Sequence, residues 1–248
     1  MRLTIDLCRS RVETKYSLAA EDLPALAGGI PCDQREDYGV LTHYFDRPDG
    51  SLARRAFLDP RHCTKIRTRQ YPEDSSVWFE VKTRRGSWTR KSRLRLCRAE
   101  ARGLVRGLGP GEAEALGPLR DQKGGDGDAE ARFYLRELAQ GALLPVGAVY
   151  AYRRTFLAGE DRVRITIDQE ISYYRPCEVP FSDEDAMSAG LLLGSESGLV
   201  LEVKHAGVLP PWCKDLVSGL RRSKYSKFRN LVLSLAQVGK AADHVDRF

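Results

Sequence analysis

The sequence predicts an α+β fold: a chain dominated by β-strands, curled into a barrel, with a few helices packed outside. Three observations carry that expectation. Apolar and polar residues alternate with strand period along most of the chain, helical spacing appears in only three stretches, and the polar side of strand after strand is charged. A length of 248 residues suits one β-rich domain, and 42% hydrophobic with 30% charged residues supply a core and a soluble surface. That composition excludes a disordered chain, a collagen and a disulfide-stapled miniature.

Taken in order, the first strand is Arg11–Tyr16, with Arg11, Glu13 and Lys15 on one side. Lys65–Arg69, Val77–Lys82 and Arg90–Leu96 follow, then Arg162–Asp168 and Leu199–Lys204. Their β-branched and aromatic residues fit a pleated surface. Helical spacing predicts helices at Glu130–Gln140, Pro211–Leu220 and Tyr225–Val238. In the last, Phe228, Leu231, Val232 and Leu235 form one apolar stripe, which reads as core packing rather than a cofactor box. Residues 108–128 are rich in Gly and Pro without either period, so a mobile loop is expected there within a single domain of 1–248. No apolar run approaches the ~18–20 residues of a membrane helix. The N-terminal stretch is charged where a signal peptide needs an apolar core, so a cytoplasmic location is expected.

The formal charge is 40 − 34 = +6, and its distribution says more than its sum. Between Arg61 and Arg95 there are 11 Lys/Arg against 3 Asp/Glu, or +8, and Gly219–Asn230 holds five bases and no acid. Acid predominates in Gly109–Glu130 and Glu178–Glu196. Concentrated positive charge of this kind usually meets phosphate, although a solvated basic face is the simpler reading of any one run. The six cysteines have no CxxC pair, and neither they nor His43, His62, His205 and His244 have metal-ligand spacing. Free thiols and structural or exposed histidines are expected.

The strand faces sharpen this. Arg67 and Arg69, Glu80 and Lys82, Lys91 and Arg93, Arg162 and Arg164, and Glu202 and Lys204 each share one side of a strand. Facing water they would need no explanation, yet like charges opposed across strands destabilise a sheet. Lining a barrel, they need carboxylates or an anionic ligand, because an uncompensated buried charge costs about 3–5 kcal/mol. The interleaved glutamates are too few; a polyanion would suffice.

The chain resembles the VTC-type polyphosphate polymerase domain, a branch of the triphosphate tunnel metalloenzymes (CYTH superfamily). The residues that carry the resemblance occur in the family's order: Arg11-x-Glu13-x-Lys15-Tyr16, Thr42-x-Tyr44-Phe45-Asp46, Arg67-x-Arg69-x-Tyr71, Phe79-Glu80-x-Lys82 and Lys91-x-Arg93. Tyr152-x-Arg154-Thr155, Val163–Asp168, Leu201-Glu202-x-Lys204 and Ser223–Phe228 complete the set. The resemblance implies an antiparallel β-barrel forming a triphosphate tunnel, with helices outside. It implies Mn2+ or Mg2+ as cofactor, and ATP with polyphosphate or triphosphate as ligands.

By motif, the resemblance assigns phosphate binding to Arg67, Arg69, Lys82, Lys91, Arg154, Arg164, Lys224, Ser226 and Lys227. Tyr152 is implied on the nucleobase side, Glu202 as metal ligand and Lys15 as a wall of the acceptor path. Lys15, Arg67, Arg69, Lys91 and Glu202 are the implied catalytic residues. Neighbouring Arg90, Arg93, Tyr150 and Arg153 compete for the roles given to Lys91 and Tyr152. Glu13 and Glu80 are either further metal ligands or partners of the bases, and Asp168 is either an ion-pair partner or catalytic.

The implied function is a metal-dependent polymerase that transfers the terminal phosphoryl group of ATP onto polyphosphate. Two alternatives stand beside it: a triphosphatase acting on tripolyphosphate or a nucleoside triphosphate, and a non-catalytic polyphosphate-binding module. No nucleic-acid partner is expected. There is no glycine-rich phosphate loop of the GxxxxGK[ST] or GxGxxG kind, so phosphate would be held by side chains. Unlike larger family members, the sequence shows no SPX domain and no membrane helix, so translocation would require a separate membrane partner.

Overall fold

The alternating segments become strands of one nine-stranded antiparallel sheet in the computed structural model, which describes residues 11–32, 34–71, 74–101, 129–158, 163–176 and 190–245. In chain order the elements are β1 (Arg11–Leu18), α1 (Leu23–Gly28), β2 (Gln34–Asp46), α2 (Ser51–Leu58), β3 (His62–Gln70), β4 (Ser76–Arg85) and β5 (Trp88–Cys97). Then come α3 (Ala129–Ala139), β6 (Leu144–Ala158), β7 (Val163–Tyr174), β8 (Leu192–Ser195), β9 (Leu199–Ala206), α4 (Pro211–Val217) and α5 (Lys227–Val245). The hydrogen-bonded order is β1-β9-β7-β6-β2-β3-β4-β5, with β8 on β7. This path has two end strands, so the α+β class and antiparallel sheet are as expected while the barrel is not strictly closed.

All six expected strands and all three expected helices are present. Strands β2, β6 and β8 and helices α1 and α2 are additional. The loop expected at 108–128 lies outside the described residues.

The chain divides into two compact units, and β2, β6 and β7 each contribute to both. The first contains residues 1–38, 152–170 and 196–225; the second contains 39–151, 171–195 and 226–248.

In the first unit, Tyr16, Leu18, Ile165, Ile167, Leu201 and Val203 form the apolar side of β1, β7 and β9. Leu26 of α1 and Cys213 and Val217 of α4 close over them. Burial pushes the Cys213 thiol up to about 11, which keeps it protonated and inert. The polar residues between these apolar ones therefore share the opposite side of the strands. Tyr16 forms a single antiparallel bridge with Arg222, flanked by Ser17 N–H donating to the Arg221 carbonyl (3.0 Å) and Ser223 N–H donating to the Lys15 carbonyl (2.8 Å). That bridge ties the C-terminal basic segment to β1.

In the second unit, Ile66, Val77, Phe79, Val81, Leu94 and Leu96 are buried against Ala131, Leu135 and Leu138 of α3. Ser92 Oγ accepts the Ala131 N–H at 3.0 Å, and Thr83 Oγ1 donates to Glu130 at 2.5 Å, so polar groups fix the start of α3 on the sheet. Asp46 ends β2 and caps α2. Its Oδ1 accepts the N–H groups of Arg47 (2.7 Å) and Leu52 (2.9 Å), and its Oδ2 that of Ala53 (2.8 Å). These satisfy donors that a helix N-terminus otherwise leaves open.

Candidate active site

Covering one side of β3–β5 with α3 leaves the other side to the charged residues. Register places them in three rows across the strands: Arg69–Trp78–Arg95, Arg67–Glu80–Arg93 and Lys65–Lys82–Lys91. Within the rows seven bases thus share the face with one carboxylate, Glu80, whose side chain is only 3% exposed, while Asp74, just before β4, pairs with Arg95 at 3.6 Å. Arg67 donates to Glu80 Oε2 through Nε (2.9 Å) and Nη2 (2.7 Å). Arg69 Nη1 lies 4.0 Å from the same oxygen, and Lys91 Nζ contacts Oε1. Burial alone would push the Glu80 carboxyl up; Arg67, Arg69 and Lys91 reverse that and hold it well below the ordinary carboxylate range.

Lys91 responds in the opposite sense. Loss of hydration pushes its ammonium down to about 7, and although Glu80 resists, Arg67 and Arg69 reinforce the fall. Its side chain keeps 42% exposure, and that remaining hydration tempers the push. Arg93 stacks on Trp78 at 4.7 Å, and the Arg69 Nε is buried without a hydrogen-bond partner. Lys65 Nζ donates to Ser226 Oγ at 2.8 Å. Ser226 directly precedes α5, so Lys65 joins the base rows to the start of that helix, where Lys227 is the first residue.

The first unit carries a different arrangement. Lys15 of β1 lies opposite Glu202 of β9, and Glu13 opposite Lys204. The four close into a ring of alternating charge: Lys15–Glu202 at 3.5 Å, Lys15–Glu13 at 4.0 Å, Lys204–Glu13 at 3.9 Å, and a direct Lys204–Glu202 contact. Burial favours the neutral Glu202 acid, but Lys204, Lys15 and Arg153 outweigh it and keep the carboxyl well below its ordinary range. Lys15 Nζ also donates to the Tyr225 carbonyl at 3.3 Å. Arg164 of β7 is in register with Lys204, and its Nε is buried without a hydrogen-bond partner.

The structure therefore brings together Arg67, Arg69, Lys82 and Lys91 on one face, and Lys15, Glu202 and Arg164 on neighbouring strands. Lys224 is exposed just after the β1 bridge. Adjacent arginines of β6 point to opposite sides. Arg153 is buried, donating from Nε and Nη2 to the two oxygens of Asp168 at 2.7 and 2.9 Å, and Glu202 is among the acids that raise its pKa. Arg154 lies beside Asp37 (3.5 Å) instead, and Tyr152 is on that same side, close to Arg35.

Sequence reasoning passed over Lys65 and assigned Arg153 only as a competitor. The signal for Lys65 was present, since period two places it with Arg67 and Arg69.

A hard divalent ion takes oxygen ligands, often one or two carboxylates with water and phosphate completing its shell. Glu202, half-buried and held ionised by Lys204 and Lys15, and Glu13, exposed on the adjacent strand, offer carboxylate oxygens of that kind. Among the described residues no group of three or more His, Cys, Asp or Glu could hold a metal ion by itself.

Comparison with known proteins agrees on the fold. A family model described as VTC domain matches residues 5–236. No curated protein matches significantly. A Hippeastrum protein, named for adenylyl cyclase and described as revealing a dominant triphosphatase activity, is similar in structure. It has 14% identity over 89% of this chain and 94% of that one, with a TM-score of 0.56. A Vibrio parahaemolyticus protein, also named for adenylate cyclase, has 12% identity over 88% and 95% of the two chains, with a TM-score of 0.44. No described helix is long and apolar enough to cross a membrane.

Proposed function

This chain belongs to the VTC-domain family, and from that premise we propose that it is a metal-dependent phosphotransferase moving the terminal phosphoryl group of ATP onto polyphosphate. The observation that carries the reading is the face of β3–β5, where seven bases meet one carboxylate in three rows. From Arg69 to Lys65 that face spans five residues of β3, whose four steps cover about 13 Å at strand rise. Such a length suits a chain of phosphates better than a single one. The family model runs through both compact units, which supports treating 1–248 as one VTC-like domain.

Phosphoryl transfer asks mainly for positioning and neutralisation of oxygens, with little covalent work by the protein. Arg67 and Arg69 supply planar forks that orient phosphate, while Lys82 and Lys91 supply point charges. In the second unit Ser226 and Lys227 would add phosphate contacts; in the first, Arg164 and Lys224 would do so, with Arg153 on the Glu202 side. Tyr152 and Arg154, which the resemblance gives to base and phosphate, share the side of β6 opposite Arg153 and Asp168, so on the Glu202 side we put Arg153 in place of Arg154. Glu202, assisted by Glu13, would hold Mn2+ or Mg2+, which when bound withdraws charge from phosphate oxygens. Lys15, held by Glu202 and Glu13, lines the path of the accepting chain.

Hydrolysis of tripolyphosphate or a nucleoside triphosphate is the second reading. The triphosphatase activity ascribed to the Hippeastrum protein favours it, and the two reactions differ only in whether water or polyphosphate accepts the phosphoryl group. A purely binding module has less support, because it has no use for the ionised Glu202 among its bases.

The test is incubation with ATP and Mn2+ followed by gel separation of products. A ladder of chain lengths is expected; orthophosphate alone would establish the hydrolase. Tight polyphosphate binding with neither product would leave only the binding module.

A further inference from the structure

Glu80 is the one carboxylate in the three rows of the β3–β5 face, and its oxygens are already taken. Arg67 spends two donors on Oε2, Arg69 approaches the same oxygen, and Lys91 covers Oε1. A carboxylate presents two oxygens much as a phosphate does, so it satisfies the same forked donors. With Lys91 charged, three bases converging on one acid leave 3 − 1 = +2 at the spot, enough to attract an anion but less than the bases alone would offer.

We infer that Glu80 is a built-in counter-ion of the phosphate face: a positioning residue that holds Arg67, Arg69 and Lys91 aimed at a common point while competing with substrate for them. The inference rests on the phosphate-binding reading above and adds its regulation by an internal competitor. An arriving phosphate draws on bases that are oriented in advance, and Glu80 reclaims them when the phosphate leaves. The consequence is weaker binding and faster release than an all-basic face would give. For an enzyme that must let a polyanion advance, slow release would be the greater obstacle.

The experiment uses the whole chain and tripolyphosphate without metal, titrated calorimetrically into wild type, Glu80→Gln and Glu80→Asp. Steady-state turnover is measured alongside. Glu80→Gln is expected to bind tripolyphosphate about tenfold more tightly, because one unit of negative charge leaves the site. Its affinity should also fall more steeply with salt, and kcat and KM should fall together. Glu80→Asp retracts the carboxylate by one methylene and should bind a few-fold more tightly, which keeps the test open if the glutamine variant does not fold. If wild type binds and the folded variants bind equally or more weakly, Glu80 is only a structural ion-pair partner and the inference is overturned. If wild type itself fails to bind, the phosphate reading falls first.

Discussion

Replacing Glu202 by Gln should separate what the charge ring does for the fold from what it does for the chemistry. The substitution keeps the shape and removes the charge that Lys15 (3.5 Å) and Lys204 share, leaving both lysines and nearby Arg153 facing only Glu13 and Asp168. Breaking a fully buried ion pair by removing one partner costs about 3–5 kcal/mol. Here the lysine side chains retain 25% and 30% exposure, so part of that cost is screened and a loss of about 2–3 kcal/mol is expected. Urea unfolding measures it as a lower midpoint at unchanged slope. Adding Lys204→Met to Glu202→Gln removes the stranded cation and should recover more than half of the stability. It should not recover turnover with ATP and Mn2+, because the carboxylate proposed to hold the metal is still missing. A single variant as stable as wild type would show that the ring does not hold β1 to β9. A double variant that regained activity would refute the metal role of Glu202.

Asp46→Ala removes an acceptor for three backbone donors and should cost about 2–3 kcal/mol in urea unfolding, with tripolyphosphate affinity of the folded protein unchanged. Gly147→Ala puts a methyl group 2.5 Å from the Tyr174 carbonyl oxygen and 3.0 Å from Leu231; a loss of about 1–3 kcal/mol is expected, seen as a lower melting temperature. Loss of hydration pushes Lys91 down toward about 7, against its 42% side-chain exposure, so its charge is held at acid pH and lost progressively as pH rises above neutrality. Tripolyphosphate affinity should therefore weaken as pH rises above about 7, and comparison with Lys91→Arg cancels the ligand's own titration. Glu80 and Glu202 have carboxyls held well below their ordinary 4.5. Each contributes stability that is present above the unfolded value and lost as pH falls below it. Acid unfolding of wild type should thus begin below about pH 4.5, and a flat profile there would contradict the ion pairing.

The strands with one apolar and one charged side were legible because period two is strong when one side packs under a helix, as β3–β5 do under α3. Strand β2 was not, since residues 40–46 are buried on both sides and show no alternation. In β6, Gly147, Ala148 and Ala151 give little contrast between faces. Helices of six and eight residues, α1 and α2, are too short to display a period. At the site, the bases of β3–β5 could be read from spacing because alternation alone assigns them a common side. Arg153 and Arg154 could not be separated in that way. A shift of one residue exchanges the two faces of a strand, and only the Arg153–Asp168 and Arg154–Asp37 pairings decide which is which.

The pairing of β1 with β9 and with Arg222 also governs how the chain can be made. A ribosome releases residues 11–18 early, yet their partners, residues 199–206 and 221–223, emerge some two hundred residues later. At about 5–20 residues per second that is an interval of roughly ten seconds or more. Until it ends, the first strand has neither neighbour, and its apolar side is a target for chaperones. Sequence-distant pairing of this kind folds slowly. Chains cut short before residue 199 should therefore be recognised as unfinished, while those that reach residue 225 carry every partner of the first strand.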